Sequence, residues 1–256
     1  MAENGVQSVA RALSLMRLLA QGDGGSRLSD LARAAGLPVS TAHRLLTTLE
    51  QQGFAQFEPA SALWHVGRDA FTVGLAYGRR LSFVAPALPL LRRLRDATRE
   101  TANLGILDDD QLVTISQVES REIRRALSPP GRRVPVFCSA MGKAILATWR
   151  DNEVLALADR AGLPPLTTKS LRSREAALAE IARTRARGWA LDDEEFNLGM
   201  RCLAAVVWSP QGEAACAISI SGAAVRLTED RLDPLGRLVA QAAQELTRVL
   251  GGVAPG

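Results

Sequence analysis

The chain of 256 residues has little lysine, histidine or cysteine: two, two and three residues respectively. Cys138, Cys202 and Cys216 show no CxxC spacing, and an odd count argues against a disulfide scaffold. His43 and His65 lie far along the chain from those cysteines, which speaks against a Cys/His zinc site, so no metal is expected. Lysine occurs only as Lys143 and Lys169, and the remaining cations are arginine, as a GC-rich genome would produce. No stretch reaches the roughly 20 consecutive apolar residues that a membrane span needs. The opening MAENGVQSVARAL lacks a basic segment followed by an apolar core, so no signal peptide is read and a soluble, cytoplasmic protein is expected. Neither GxGxxG nor GxxxxGK[ST] occurs, so nucleotide binding has no support and no cofactor is expected.

What is present suits two domains. A hydrophobic share of 47% can fill cores, and the length exceeds one typical domain. The net charge of +4 is compatible with a nucleic-acid partner, yet through residue 66 the charges nearly balance. Arg11, Arg17, Arg27, Arg33 and Arg44 face Glu3, Asp23, Asp30, Glu50 and Glu58 there. DNA binding by this segment therefore rests on the placement of a few cations.

Val9, Leu13, Met16 and Ala20 recur at helical spacing, with Ala12, Leu15 and Leu19 in support, and predict an amphipathic first helix. A second helix is predicted from a Ser29 N-cap, with Leu28 as a staple, to Gly36. A third begins within Pro38 to Ser40 and ends at Gly53, its apolar stripe being Ala42, Leu45, Leu46 and Leu49. Phe54–Phe57 and Leu63–Val66 flank Glu58-Pro59-Ala60-Ser61 and read as a β-hairpin. Helix, helix-turn-helix, hairpin is the order of a winged helix-turn-helix. Its third helix would enter a major groove with Ser40, Thr41, His43, Arg44 and Thr47 towards the DNA. The alternative is a three-helix module for protein contacts, with the same residues merely exposed, and His43 also fits a packing role.

Arg68 to Ser82 reads as a helix bridging two domains, which sets the division at 1–67, 68–82 and 83–256. Beyond it, a helix over Val84 to Arg99 is followed by apolar runs at Ala102–Leu107, Leu112–Val118 and Val134–Phe137. Helices are predicted at Ser139–Trp149, Glu153–Ala161, Ser173–Arg187 and about Thr228 to Leu250. Leu203–Trp208 and Ala215–Ile220 pair around Ser209-Pro210-Gln211-Gly212. The class is α+β, without repeats and without a parallel nucleotide-binding sheet.

In these blocks the chain resembles the IclR family of bacterial regulators over nearly its whole length. The matching stretches are SVARALSLMRLLA (8–20), LSDLARAAGLPVSTAHRLL (28–46), His65-Val66-Gly67, FCSAMGKAILA (137–147), GWALDDEEFNLGMRC (188–202) and ISISG (218–222). The resemblance implies a winged helix-turn-helix, a linker helix and a GAF-like effector-binding domain. It also implies a double-stranded operator, dimers that associate into tetramers, and a small carboxylic-acid effector. The effector positions carry over to Ala140, Met141, Asp192, Cys202, Ser219 and Ser221, with apolar lining at Ala126, Val134 and Met200. Arg99 departs from the family, which usually has glycine there, and Ala204-Ala205-Val206-Val207 lacks a proline common there.

The residues themselves are compatible with this. N–H groups at a helix start near Ser139 suit an anion, and Ser219 and Ser221 alternate along a strand and face one side. Plainer roles exist for each. The serines can satisfy local backbone, Cys202 can be core, and Asp192-Asp193-Glu194-Glu195 can be a solvated face. An enzyme with Cys138 or Cys202 as nucleophile is the rival class. It lacks a histidine base in that half and a glycine-flanked serine elbow, so no catalytic residue is expected. A ligand-free assembly protein is the third option.

Overall fold

The computed structural model describes residues 5–22, 24–120 and 129–254. They form two compact units, one through Leu81 and one from Ser82.

The first unit contains α1 (Gln7–Leu19), α2 (Leu28–Ala34), α3 (Val39–Gln51), the hairpin β1 (Ala55–Glu58) and β2 (Leu63–Val66), and α4 (Arg68–Arg80). Leu15, Leu19, Leu31, Ala32, Ala42, Leu46, Ala55 and Trp64 make its core, each large apolar side chain contributing roughly 1.5–3 kcal/mol by leaving water. Ala32 is 1% exposed, so a small residue stands inside the α1–α3 core. Gly36 follows α2 at φ 63°, a backbone that favours glycine. The Gly36 N–H donates to the Arg33 carbonyl and the Leu37 N–H to the Ala32 carbonyl, at 3.1 and 2.9 Å. This Schellman pair satisfies the end of α2 and turns the chain into α3. The wing is tied to α3 by the Phe57 N–H donating to Glu50 Oε1 at 3.0 Å.

Two local expectations shift. The N-cap of α2 is Arg27, with Ser29 already inside the first turn. Ser26 pairs with Trp64 through two backbone hydrogen bonds of 2.9 Å, which holds the chain extended until just before the helix. On α1 the buried side is Leu15 and Leu19, whereas Val9 and Leu13 are more than half exposed.

The second unit holds α5 (Val84–Thr98), β3 (Thr101–Asp108), β4 (Gln111–Val118), β5 (Arg133–Pro135), α6 (Ala140–Leu146), α7 (Asp151–Ala161) and α8 (Arg174–Arg187). Then come β6 (Ala190–Asp193), β7 (Met200–Trp208), β8 (Ala214–Ala223) and α9 (Glu229–Val249). The strands form one six-stranded sheet in the order β5-β4-β3-β8-β7-β6, antiparallel at every junction. Strand alternation separates its faces. Ala190, Ala204 and Ala217 pack with Ala140, Met141, Ala144 and Ile145 of α6. Their neighbours in sequence turn to the other face, where α5 packs on β3 and α9 on β7.

Small residues let α6 lie close to its neighbours. A Cβ on Gly142 would stand 2.3 Å from the Val136 carbonyl oxygen, so only glycine fits there. The helix predicted over Ser139–Trp149 is shorter at its far end, because a turn follows Leu146. No strand was predicted over Ala190–Asp193, yet this charged segment is edge strand β6, paired with β7 from Ala190↔Ala204 to Asp193↔Arg201. Arg99 ends α5 in the left-handed conformation at φ 62°, the backbone that a glycine would take without strain. No helix among the described residues is long and apolar enough to cross a membrane.

Candidate functional site

Two polar constellations stand out, one in each unit. The first is the outer face of α3. Ser40, His43 and Arg44 are exposed, and Thr41 and Thr47 are half-buried beside the stripe of Ala42 and Leu46 that fixes the helix in its core. Among the described residues no carboxylate pairs with Arg44, whose guanidinium keeps its donors available. The His43 ring meets Trp64 edge-on at 6.4 Å between centroids, which ties it to the wing.

The second is a cavity of about 40 Å³ between the sheet and the start of α6. Its walls are Asn103, Leu112, Thr114, Val134, Asp192, Cys202, Ser219 and Ser221 from the sheet, and Phe196 beyond it. Cys138, Ser139, Ala140 and Met141 close it from the α6 side. Thus Val134, Ala140, Met141, Asp192, Cys202, Ser219 and Ser221, singled out in the sequence, meet at one place. Met200 stands opposite Ala223 at the start of β7 and is not part of the lining. Ala126 lies outside the described residues. Asn103, Leu112, Thr114, Cys138, Ser139 and Phe196 were not foreseen.

Register explains the convergence. Gln117 pairs with Asn103, and Asn103 with Ser219; Ser221 pairs with Cys202, and Cys202 with Asp192. These cross-strand neighbours share one face, so residues distant in sequence form a polar row. The Asn103 amide donates to Ser221 Oγ at 2.7 Å and to Ser219 Oγ at 3.2 Å. Its carbonyl oxygen accepts from Gln117 Nε2 at 2.7 Å. At the opposite wall Ser139 caps α6 by accepting the Gly142 N–H at 3.3 Å, while the N–H groups of Ala140 and Met141, in the first turn, have no acceptor within the helix.

Behind the cavity Lys143 is fully buried and donates to Glu195 Oε1 at 2.5 Å. Asp192 Oδ1 accepts the N–H groups of Glu195 and Phe196 at 2.8 and 3.4 Å. Glu195 thus pairs with the ammonium directly, while Asp192 is held by backbone N–H groups and feels the Lys143 charge from farther away. Burial pushes Asp192 up to about 7, although the Lys143 charge opposes the shift; burial also raises Glu195. Burial pushes Cys138 up to about 11 and Cys202 well above the usual thiol range. Both thiols therefore stay protonated and are poor nucleophiles. Among the described residues no cluster of three or more His, Cys, Asp or Glu side chains can hold a metal ion.

Comparison with known proteins agrees over both units. Residues 75–248 match the model of the bacterial transcriptional regulator IclR C-terminal domain, and residues 8–59 match that of the IclR helix-turn-helix domain. The acetate operon repressor of Salmonella typhimurium is 40% identical over 249 residues, 96% of this chain and 91% of that protein. The transcriptional repressor IclR of Escherichia coli is also 40% identical, over 97% of this chain and 91% of its own length. Among solved structures, a putative transcriptional regulator from a Rhodococcus species is 29% identical with a TM-score of 0.76, covering 96% of this chain and 100% of its own. Sequence and fold agree that the chain belongs to the IclR family of bacterial transcriptional regulators, with a DNA-binding helix-turn-helix followed by an effector-binding domain.

Proposed function

We propose that residues 1–67 read a double-stranded operator, that residues 83–256 sense a small carboxylic acid, and that the helix between them, residues 68–82, couples the two. Ser40, Thr41, His43, Arg44 and Thr47 contact the DNA, with Arg44 the main donor to guanine or phosphate. The acid lies in the cavity, its carboxylate towards Ala140 and Met141 N–H and the hydroxyls of Ser219 and Ser221, with Asp192 and Cys202 beside it. Val134 supplies an apolar wall of the same pocket, and the family resemblance assigns Ala126 to it as well.

The observation that carries this reading is the cavity itself: seven residues singled out in the sequence, from several separate elements, line it. Apolar walls with a few convergent polar groups describe a small-ligand site. A volume of about 40 Å³ holds roughly three waters, which favours a short aliphatic acid over an aromatic one. The names of the relatives favour repression.

The working form is a homodimer or a dimer of dimers in the cytoplasm. In support, Val6, Val9 and Leu13 are each at least half exposed at helical spacing on and just before α1. Phe71, Val73 and Tyr77 are also at least half exposed on α4, and Val73 and Tyr77, four residues apart, share a side of that helix. Effector binding shifts the two DNA-binding units of a dimer against each other, a coupling of about 1–3 kcal/mol. A thermal-shift screen against small carboxylic acids, followed by footprinting on the protein's own upstream DNA, tests this reading. It expects an acid that both raises the melting temperature and changes the footprint. An acid that does the first without the second refutes the coupling.

A further inference from the structure

Thr114 lines the cavity and is 1% exposed, yet its hydroxyl has no hydrogen-bond partner among the described residues. A buried hydroxyl left unpaired destabilises the fold. A valine would fit the same space without that cost, so the hydroxyl suits a partner that arrives with the ligand.

The polar row beside it has a direction. Ionised, the Asp192 carboxylate only accepts hydrogen bonds. Cys202 stands opposite both Asp192 and Ser221 in the strand register, which places its thiol between the carboxylate and the serine on one face of the sheet. The Ser221 oxygen then accepts from the Asn103 amide, and Gln117 N–H holds the Asn103 oxygen away from the serines. The donors thus run from Gln117 through Asn103 to the serines, which share this face of the sheet with Cys202 and Asp192. Ser219 is the branch point: its oxygen accepts the second Asn103 hydrogen, and its own hydrogen has no acceptor among the described residues.

Resting on the reading of this cavity as the acid site, we propose that Thr114 is a further ligand-contact residue and that Asn103 is the positioning residue that turns the Ser219 O–H towards the ligand. Together they make the cavity choose a carboxylate over the isosteric carboxamide. A carboxylate accepts from both hydroxyls, whereas an amide NH₂ meets donors with donors.

The test titrates the full-length protein with acetate, glycolate and propionate and with the three matching carboxamides, by calorimetry and melting temperature. The wild type binds the carboxylates at least about tenfold more tightly than the amides. Thr114→Val raises the melting temperature of the free protein and weakens carboxylate binding about tenfold. Gln117→Glu gives the Asn103 NH₂ an acceptor, turns the amide over and takes up the Ser219 hydrogen. The preference for carboxylate then falls towards equality, and Asn103→Leu lowers it as well. Adding Ser219→Ala costs carboxylate affinity in the wild type but little in Gln117→Glu. Operator binding without acid checks that each variant is folded. Unchanged carboxylate binding by Thr114→Val, or a full preference kept by Gln117→Glu, overturns this proposal and leaves the acid site in place. If none of the three acids binds the wild type, both fall.

Discussion

The outer face of α3 and the cavity beneath α6 use similar side chains under opposite conditions. On α3, Ser40 and Arg44 stand in water on a helix held from behind by Ala42 and Leu46. In the cavity, Asn103, Ser219 and Asp192 are at most 4% exposed and already hydrogen-bonded to each other or to backbone. An exposed polar residue can be replaced at little cost to folding, so its loss is felt mainly in binding. A buried one is part of the fold, so changing it alters stability and binding together.

Removing the ammonium behind the cavity gives the largest contrast. Lys143→Met leaves the Glu195 carboxylate buried without its cation, and should cost about 3–5 kcal/mol. Chemical denaturation would report this as a loss confined to the second unit, the first unit unfolding as before. Equal loss in both would erase the contrast.

On α3 the expectation is reversed. Arg44→Ala should weaken operator binding by about 1–3 kcal/mol while changing stability by less than about 0.5 kcal/mol. Gel-shift titration and melting curves separate the two, and the acid-induced thermal shift should be unaltered.

Acidity distinguishes the regions further. Asp192 sits near 7 in the fold against an ordinary 3.8, so the folded chain retains a proton that the unfolded chain releases. Its contribution to stability is full in acid and is lost as pH rises through about 7. The melting temperature of the second unit should therefore fall by a few degrees between about pH 6 and about pH 8. Asp192→Asn should flatten that slope, and an unchanged slope would place the proton elsewhere.

The smallest effect lies away from both regions. Arg99→Gly relieves the left-handed end of α5 and should add up to about 1 kcal/mol, seen as a modest rise in melting temperature with effector and DNA binding unchanged.

The parts of the fold legible in the sequence were those written in local periodicity. The α3 stripe, the Gly36 turn and the hairpin residues all carry their reason within a few neighbours. α1 misled because it is apolar on two sides, and spacing alone does not say whether Val9 and Leu13 or Leu15 and Leu19 face the core. β6 was missed because Asp192 and Asp193 read as solvent-facing, whereas tertiary contacts bury Asp192 completely enough to shift its proton. Lys143 and Glu195 are 52 positions apart, and nothing local announces that they pair. The cavity residues named in advance came through family likeness. Asn103 and Thr114 needed strand register, because a lone polar residue in a strand looks the same whether it faces water or a pocket.

The order of the sheet has a consequence for assembly. Its two outermost strands are its shortest, β5 with three residues and β6 with four. So little open backbone gives an incoming strand few rungs to climb, and it guards against the edge-to-edge fusion that long bare strands invite. For the proposed assembly, such short edges favour contacts made through side chains over the addition of a strand.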